Sequence, residues 1–175
     1  MNLEGRRESS NVDDRRGKKA GISLGIGGTI LVGIIALMMG KNPQSVLQQI
    51  NQNSAGTEST YTPTAEEEEL ATFSKKILAG TEDVWTAEFK KLGKKYIPPK
   101  LVLFTSSVQS GCGGATASTG PFYCSADQTV YIDLSFFSSM KKQFGTAGDF
   151  AYAYVIAHEV GHHVQYLTGQ LNQAH

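Results

Sequence analysis

The chain has 175 residues, which is enough for one domain of ordinary size and an appendage. Sixteen Lys and Arg balance sixteen Asp and Glu, so the formal net charge is zero and the composition argues against a nucleic-acid partner. The nineteen glycines cluster around residues 21–33 and 111–120, without the fixed period of a repeat protein.

The first forty residues form two segments that differ sharply from each other in charge. Residues 1–19 are polar and dense in charge, and we expect a disordered tail there. Residues 20–40 carry no charge, and as a helix they would span roughly 30 Å, the thickness of the hydrocarbon core of a bilayer. A cleaved signal peptide and a buried core helix are the alternatives. No clear small-residue cleavage site follows the run, and a core helix would not be followed by a long polar linker. The pattern favours one transmembrane helix over residues 20–40.

The distribution of Lys and Arg predicts the orientation of this helix. Six of them precede the apolar run, and only Lys41 follows it before Lys75. The positive-inside rule therefore predicts a single-pass protein of the inner or plasma membrane, with residues 1–19 in the cytoplasm and the remainder outside. Residues 41–63 are rich in Asn, Gln, Ser and Thr, and we expect them to link the membrane to a domain over residues 64–175.

This domain begins with a helix signal. Thr64 and Glu67 match a capping box, and apolar residues recur behind them at helical spacing as far as Leu78. Gly80 and Thr81 predict a break in the helix, after which Thr81 would cap a second one.

Two strands and a pair of cysteines follow. Runs of aliphatic and aromatic residues predict strands at 101–104 and 129–134, and a short helix is expected over 134–144. The Gly- and Ser-rich loop between the strands contains both cysteines of the chain, Cys112 and Cys124. Outside the cytoplasm they would form a disulfide contributing about 3 kcal/mol, and free buried thiols are the alternative.

Residues 158–162 read His-Glu-Val-Gly-His, which is the pattern H-E-x-x-H. Residues four apart lie above one another on a helix, so His158 and His162 can reach one zinc ion. Glu159 lies about 100° around the helix, where it can take a proton from a water whose pKa zinc lowers to roughly 7. The pattern predicts a zinc hydrolase with two histidine ligands and a catalytic glutamate.

An ordinary buried helix is the alternative interpretation of these histidines. It is disfavoured because the helix, which we expect to end at Gly169, has an apolar stripe nearly opposite the pair. That stripe consists of Ala153, Ile156, Val160, Val164 and Leu167. The site face consists of Ala151, Tyr154, Val155, His158, His162, Gln165 and Tyr166. His163 points towards the core side, and we expect it to be a hydrogen-bonded structural histidine.

The chain resembles a bacterial family, the "putative neutral zinc metallopeptidases", along nearly its whole length. The resemblance rests on residues 1–9, 112–113, 120–124, 130–134 and, most densely, 148–165. It implies an α+β, zincin-like metallopeptidase domain, in which the active-site helix packs on a small sheet, behind one N-terminal transmembrane helix. It also implies a membrane-anchored peptidase that acts on peptides or proteins, with zinc bound by His158 and His162 and with Glu159 catalytic.

The third zinc ligand is the point at which the pattern is incomplete. A catalytic zinc has three protein ligands and a water. Gln165 and Thr168 stand where the extended pattern H-E-x-x-H-x-x-G-x-x-H has Gly and His, which excludes that class. The resemblance places the third ligand, a Glu, on a later helix beyond His175. We therefore expect a truncated form that binds zinc weakly and hydrolyses peptides poorly, because nothing positions His175 as a substitute.

Three functions are compatible with these features. The leading hypothesis is a membrane-anchored zinc metallopeptidase. The alternative from another class is a catalytically inactive, membrane-tethered binding protein of the same fold. A permease or channel accessory is disfavoured, because the apolar run carries no charge within the membrane.

Overall fold

The computed structural model describes residues 1–17, 61–144 and 148–171. In these ranges the chain is α+β, with six strands, three α-helices and one 3-10 turn. In chain order they are β1 (Val12–Asp14), α1 (Ala65–Lys91), β2 (Lys100–Phe104), β3 (Ser107–Ser110), β4 (Gly113–Thr116), the 3-10 turn (Ala117–Thr119), β5 (Phe122–Cys124), β6 (Thr129–Asp133), α2 (Leu134–Phe144) and α3 (Gly148–Leu167).

Four of the strands form the main sheet, in the order β1-β2-β6-β5. β1, β2 and β6 run parallel, and β5 is antiparallel to β6. The other two strands, β3 and β4, form an antiparallel hairpin. β5 therefore lies at one edge of the main sheet and β1 at the other.

The alternation of side chains along β2 divides the core into two faces. Leu101 and Leu103 pack with side chains of the three helices, among them Leu78, Phe137, Tyr152, Ile156 and Val160. Val102 and Phe104 pack on the opposite face with Val108 and Ala115 of the hairpin. The sheet thus separates a helical layer from the β3–β4 hairpin, and each buried aliphatic side chain contributes roughly 1.5–3 kcal/mol.

A disulfide between Cys112 and Cys124 connects the turn of the hairpin to β5. The predicted cysteine pairing is confirmed. The Gly- and Ser-rich segment predicted as a loop contains both strands of the hairpin and β5 as well. The two predicted strands and the short helix are confirmed, with Leu134 beginning α2 rather than ending β6.

The helix α1 is continuous over 27 residues, so the predicted break at Gly80 and Thr81 is wrong. Its capping box is confirmed, because the Thr64 hydroxyl accepts from the Glu67 amide and the Glu67 carboxylate accepts from the Thr64 amide. The Thr81 hydroxyl donates to the Leu78 carbonyl at 2.7 Å, within the helix. A helical glycine costs about 1 kcal/mol, which burial of this helix face outweighs.

The N-terminal residues are part of the folded domain, and the expectation of a disordered tail was wrong. β1 pairs with β2, so that Val12 lies opposite Leu101. Upstream of the strand, three side chains donate to the buried carboxylate of Glu82. They are Arg7 at 2.9 Å, Ser9 at 2.6 Å and Asn11 at 2.8 Å. Much of the charge that suggested disorder therefore forms specific contacts.

The predicted fold class included an N-terminal transmembrane helix, and this part of the prediction must be corrected. Among the residues that the structure describes, no helix combines the length and the apolar character needed to cross a bilayer. The longest of the described helices, α1, carries Glu66, Glu67 and Glu68 in its first turn. Residues 20–40, on which the prediction falls, and most of the predicted linker lie outside the described residues.

Candidate metal centre

The helix α3 carries all of the predicted site residues. Its inner side is fixed by Tyr152, Ile156 and Val160, each at most 1% exposed. The helix ends where the sequence predicts, because Gly169 adopts the left-handed conformation (φ 76°) and the Gln170 amide donates to the Gln165 carbonyl at 2.8 Å. The helix is therefore held at a fixed rotation, with its other side free to form a site.

The two histidines of the motif converge on this free side. The Nε2 atoms of His158 and His162 lie 3.1 Å apart. Each ring has one further neighbour on α3: the Tyr154 ring stacks on His158 with centroids 6.1 Å apart, and the Gln165 side-chain oxygen lies 3.0 Å from Nδ1 of His162. The structure therefore brings the two predicted ligands together and orients both rings.

This separation fits a zinc ion. Two nitrogens bound at about 2.05 Å to a tetrahedral zinc lie about 3.3 Å apart. The observed 3.1 Å between Nε2 of His158 and Nε2 of His162 is within a few tenths of an ångström of that value. The neutral imidazole is also a common zinc ligand. These two residues can hold a zinc ion without a change of the backbone.

The Glu159 carboxylate lies beside the pair and is largely buried, with the residue 8% exposed. Burial is the main influence on this group and raises its pKa above the ordinary value. The neighbouring His162 and His158 and the backbone N–H of Tyr123 oppose that effect and favour the charged form. A carboxylate in this position can act as a proton acceptor with increased basicity.

His163, which follows His162 in sequence, is completely buried. The prediction that it is a structural histidine is confirmed by its two hydrogen bonds. Its Nε2 donates to the Ile97 carbonyl at 2.8 Å, and its Nδ1 accepts from the Tyr123 hydroxyl at 2.9 Å. Burial lowers the pKa of His163, so the ring is held neutral. It faces away from the His158–His162 pair and is not a candidate ligand.

A third protein ligand is not found in residues 1–17, 61–144 and 148–171, where no group of three or more His, Cys, Asp or Glu side chains is arranged to hold a metal ion. His175, the weak candidate from the sequence, lies outside these ranges. The described site consists of two imidazoles and the carboxylate of Glu159.

The structure shows contacts of two further residues at the site that the sequence did not predict. The sequence places Gln165 on the site face, and its spacing of three residues from His162 is one at which side chains on a helix can meet. Tyr123 could not have been found, because it reaches α3 from the edge strand β5, and no local pattern predicts a contact between them.

Comparisons with known proteins place this chain in a family. "Uncharacterized protein YpfJ" of Escherichia coli (strain K12) is 46% identical over 179 residues, which cover 97% of this chain and 62% of that protein. "Uncharacterized protein Rv2575" of Mycobacterium tuberculosis is 48% identical over 89 residues, which cover 50% of this chain and 30% of that protein. The chain thus spans about three fifths of the length of the first relative. No solved structure matches it significantly. The sequence model of the family described as "Putative neutral zinc metallopeptidase" matches residues 1–175, and the chain belongs to this family.

Proposed function

We propose that this chain carries the catalytic helix of a zinc metallopeptidase that hydrolyses peptide bonds. The observation that carries the proposal is the 3.1 Å separation of the His158 and His162 Nε2 atoms, with the largely buried Glu159 carboxylate beside them. Membership of the family supports a zinc metallopeptidase, and a peptidase implies that the substrates are peptides or proteins.

The residues of α3 divide the chemistry between them. His158 and His162 would hold the zinc ion, which supplies Lewis-acid polarisation and a water of lowered pKa when it is bound. The Glu159 carboxylate accepts a proton from the attacking water and returns it to the leaving amine. Burial supports this role, because it raises the pKa of Glu159 and makes the carboxylate a stronger base than an exposed glutamate.

A third ligand belongs to the same proposal. Zinc with three protein ligands keeps one defined open position, whereas two ligands leave several exchangeable waters. We place the third ligand on a segment after α3, outside the described residues, as the resemblance to the family implies. The two-histidine site alone would bind zinc more weakly than a complete one.

The compartment in which the domain works is a related proposal. The disulfide between Cys112 and Cys124 supports a location outside the cytoplasm, where such bonds persist. Alkylation of free thiols in intact cells, before and after reduction, tests this location. Labelling of either cysteine without reduction would contradict it.

The experiment that tests the peptidase proposal uses the natural full-length protein and two substitutions. Glu159→Gln keeps shape and size but removes the base, so zinc content should stay while peptide hydrolysis falls by about 10²- to 10⁴-fold. His162→Ala should lower zinc content and hydrolysis together. Glu88→Gln, at a half-exposed position of α1 paired with Lys91, should change neither and serves as the control. Loss of zinc in Glu159→Gln would make this residue a ligand and refute its role as base.

A non-catalytic binding protein of the same fold is the second candidate. It is favoured by the observation that only two imidazoles converge in the described site. The same measurements separate the two candidates. Zinc bound by the wild-type protein without hydrolysis of any peptide in a degenerate library would favour the binding protein.

A further inference from the structure

Gln165 determines which nitrogen of His162 carries hydrogen. The Gln165 Oε1 atom lies 3.0 Å from Nδ1 of His162. An amide oxygen only accepts hydrogen bonds, so Nδ1 must be the donor. In a neutral imidazole the other nitrogen, Nε2, then carries the free lone pair. This is the lone pair that a metal ligand needs, and it points towards His158.

The lone pair of His162 lies on the side of the second candidate ligand. Nε2 of His162 lies 3.1 Å from Nε2 of His158, so the two atoms can bind one metal ion together.

We propose that Gln165 is a positioning residue that holds His162 in its metal-binding tautomer. Tyr154 stacks against His158 with an angle of 26° between the ring planes, a contact that orients the ring but does not fix its proton. The inference rests on the proposed function only for the identity of the metal.

The helix end does not depend on this side chain. The Gln165 carbonyl accepts from the Gln170 amide at 2.8 Å and from the Thr168 hydroxyl at 3.2 Å, and both bonds use the backbone. Substitution of the exposed Gln165 side chain therefore leaves the termination of α3 intact. A change in metal binding can then be assigned to the lost contact with His162.

Nitrogen-15 NMR of the histidine rings, in mildly alkaline buffer, tests the inference. His162 should carry its hydrogen on Nδ1 both with and without zinc. In Gln165→Leu, the metal-free His162 should become a mixture of tautomers, and zinc affinity should fall by about 10- to 100-fold.

Two further variants complete the design. Gln165→Glu keeps an acceptor at the same distance and should restore the Nδ1–H tautomer of metal-free His162. Gln143→Leu makes the same chemical change at an exposed position of α2 and should behave as wild type. A wild-type His162 protonated on Nε2, or an unchanged zinc affinity in Gln165→Leu, would overturn the inference.

The outcomes also separate this inference from the proposed function. Expected tautomers and zinc affinities in a full-length protein that hydrolyses no peptide would remove the peptidase and leave the inference standing. The wrong tautomer in an active peptidase would remove the inference alone. Failure of the wild-type protein to bind zinc would remove both.

Discussion

The Tyr123 hydroxyl donates to Nδ1 of His163 at 2.9 Å and so joins the edge strand β5 to α3. Burial raises the pKa of Tyr123 to about 12, so the hydroxyl stays protonated and available as a donor. His163 follows His162 directly in sequence. The strand therefore fixes the rotation of the helix at the position where its other side presents the two candidate ligands.

Removal of this hydroxyl should destabilise the protein. Tyr123→Phe leaves the buried Nδ1 of His163 without a donor, and we expect a loss of about 1–3 kcal/mol in the free energy of unfolding. Urea denaturation measures this loss. Tyr154→Phe removes an exposed hydroxyl and should change stability by less than about 0.5 kcal/mol. Equal stabilities of the two variants would show that the Tyr123–His163 bond contributes nothing.

The neutral state of His163 predicts a dependence of stability on pH. Burial lowers the pKa of His163 in the folded state, so the unfolded chain binds a proton at higher pH than the folded protein. The stabilising effect of the neutral ring is complete above the ordinary imidazole value of about 6.5 and is lost as the pH falls below it. Denaturation curves between about pH 7 and pH 5 should show this slope in the wild type and a smaller one in His163→Gln. Parallel slopes would contradict the prediction.

The Glu159 carboxylate should reduce the stability of the metal-free protein. Its folded-state pKa is raised, mainly by burial, so ionisation costs free energy in the folded state above that pKa. Metal-free Glu159→Gln should therefore melt at a higher temperature than wild type at neutral pH. The difference should vanish at acidic pH, where the carboxyl is protonated in both the folded and the unfolded wild type. Calorimetry across this range measures it, and a lower melting temperature at neutral pH would refute it.

Glu82 should be the main anchor of the N-terminal segment. Glu82→Ala leaves the donors of Arg7, Ser9 and Asn11 without their acceptor, and we expect a loss of about 3 kcal/mol. Asp83 also binds Arg7, at 2.6 Å, but its side chain is 62% exposed. Asp83→Ala should therefore cost less than about 1 kcal/mol. Denaturant midpoints compare the two, and similar losses would show that burial of Glu82 is not decisive.

The disulfide should hold the hairpin on the sheet. Removing it in Cys112→Ala/Cys124→Ala should cost about 3 kcal/mol, the value for a closed loop of this size. Amide exchange should accelerate in β3 and β4, whose contact with β5 the bond maintains. A reducing agent should produce the same change in the wild type and none in the double variant. Unchanged exchange in the hairpin would refute this role.

The sequence predicted those features that depend on local spacing. The histidine pair, the capping box at Thr64 and the two strands with a clear apolar run were identified because each signal lies within a few residues. β1 was missed since it contains only one apolar residue, Val12, and is formed by pairing with β2 far along the chain. The helix break at Gly80 was predicted because propensity is local, whereas the packing that overrides it is not.

β1 also forms one edge of the main sheet, and its side chains determine whether another strand can pair there. Its Asp13 and Asp14 form ion pairs with Arg15 and Arg16, and charged residues on an outer strand discourage further pairing. Without β1, the apolar strand β2 would expose its unpaired backbone to solvent. The charged strand β1 therefore disfavours edge-to-edge aggregation of separate copies.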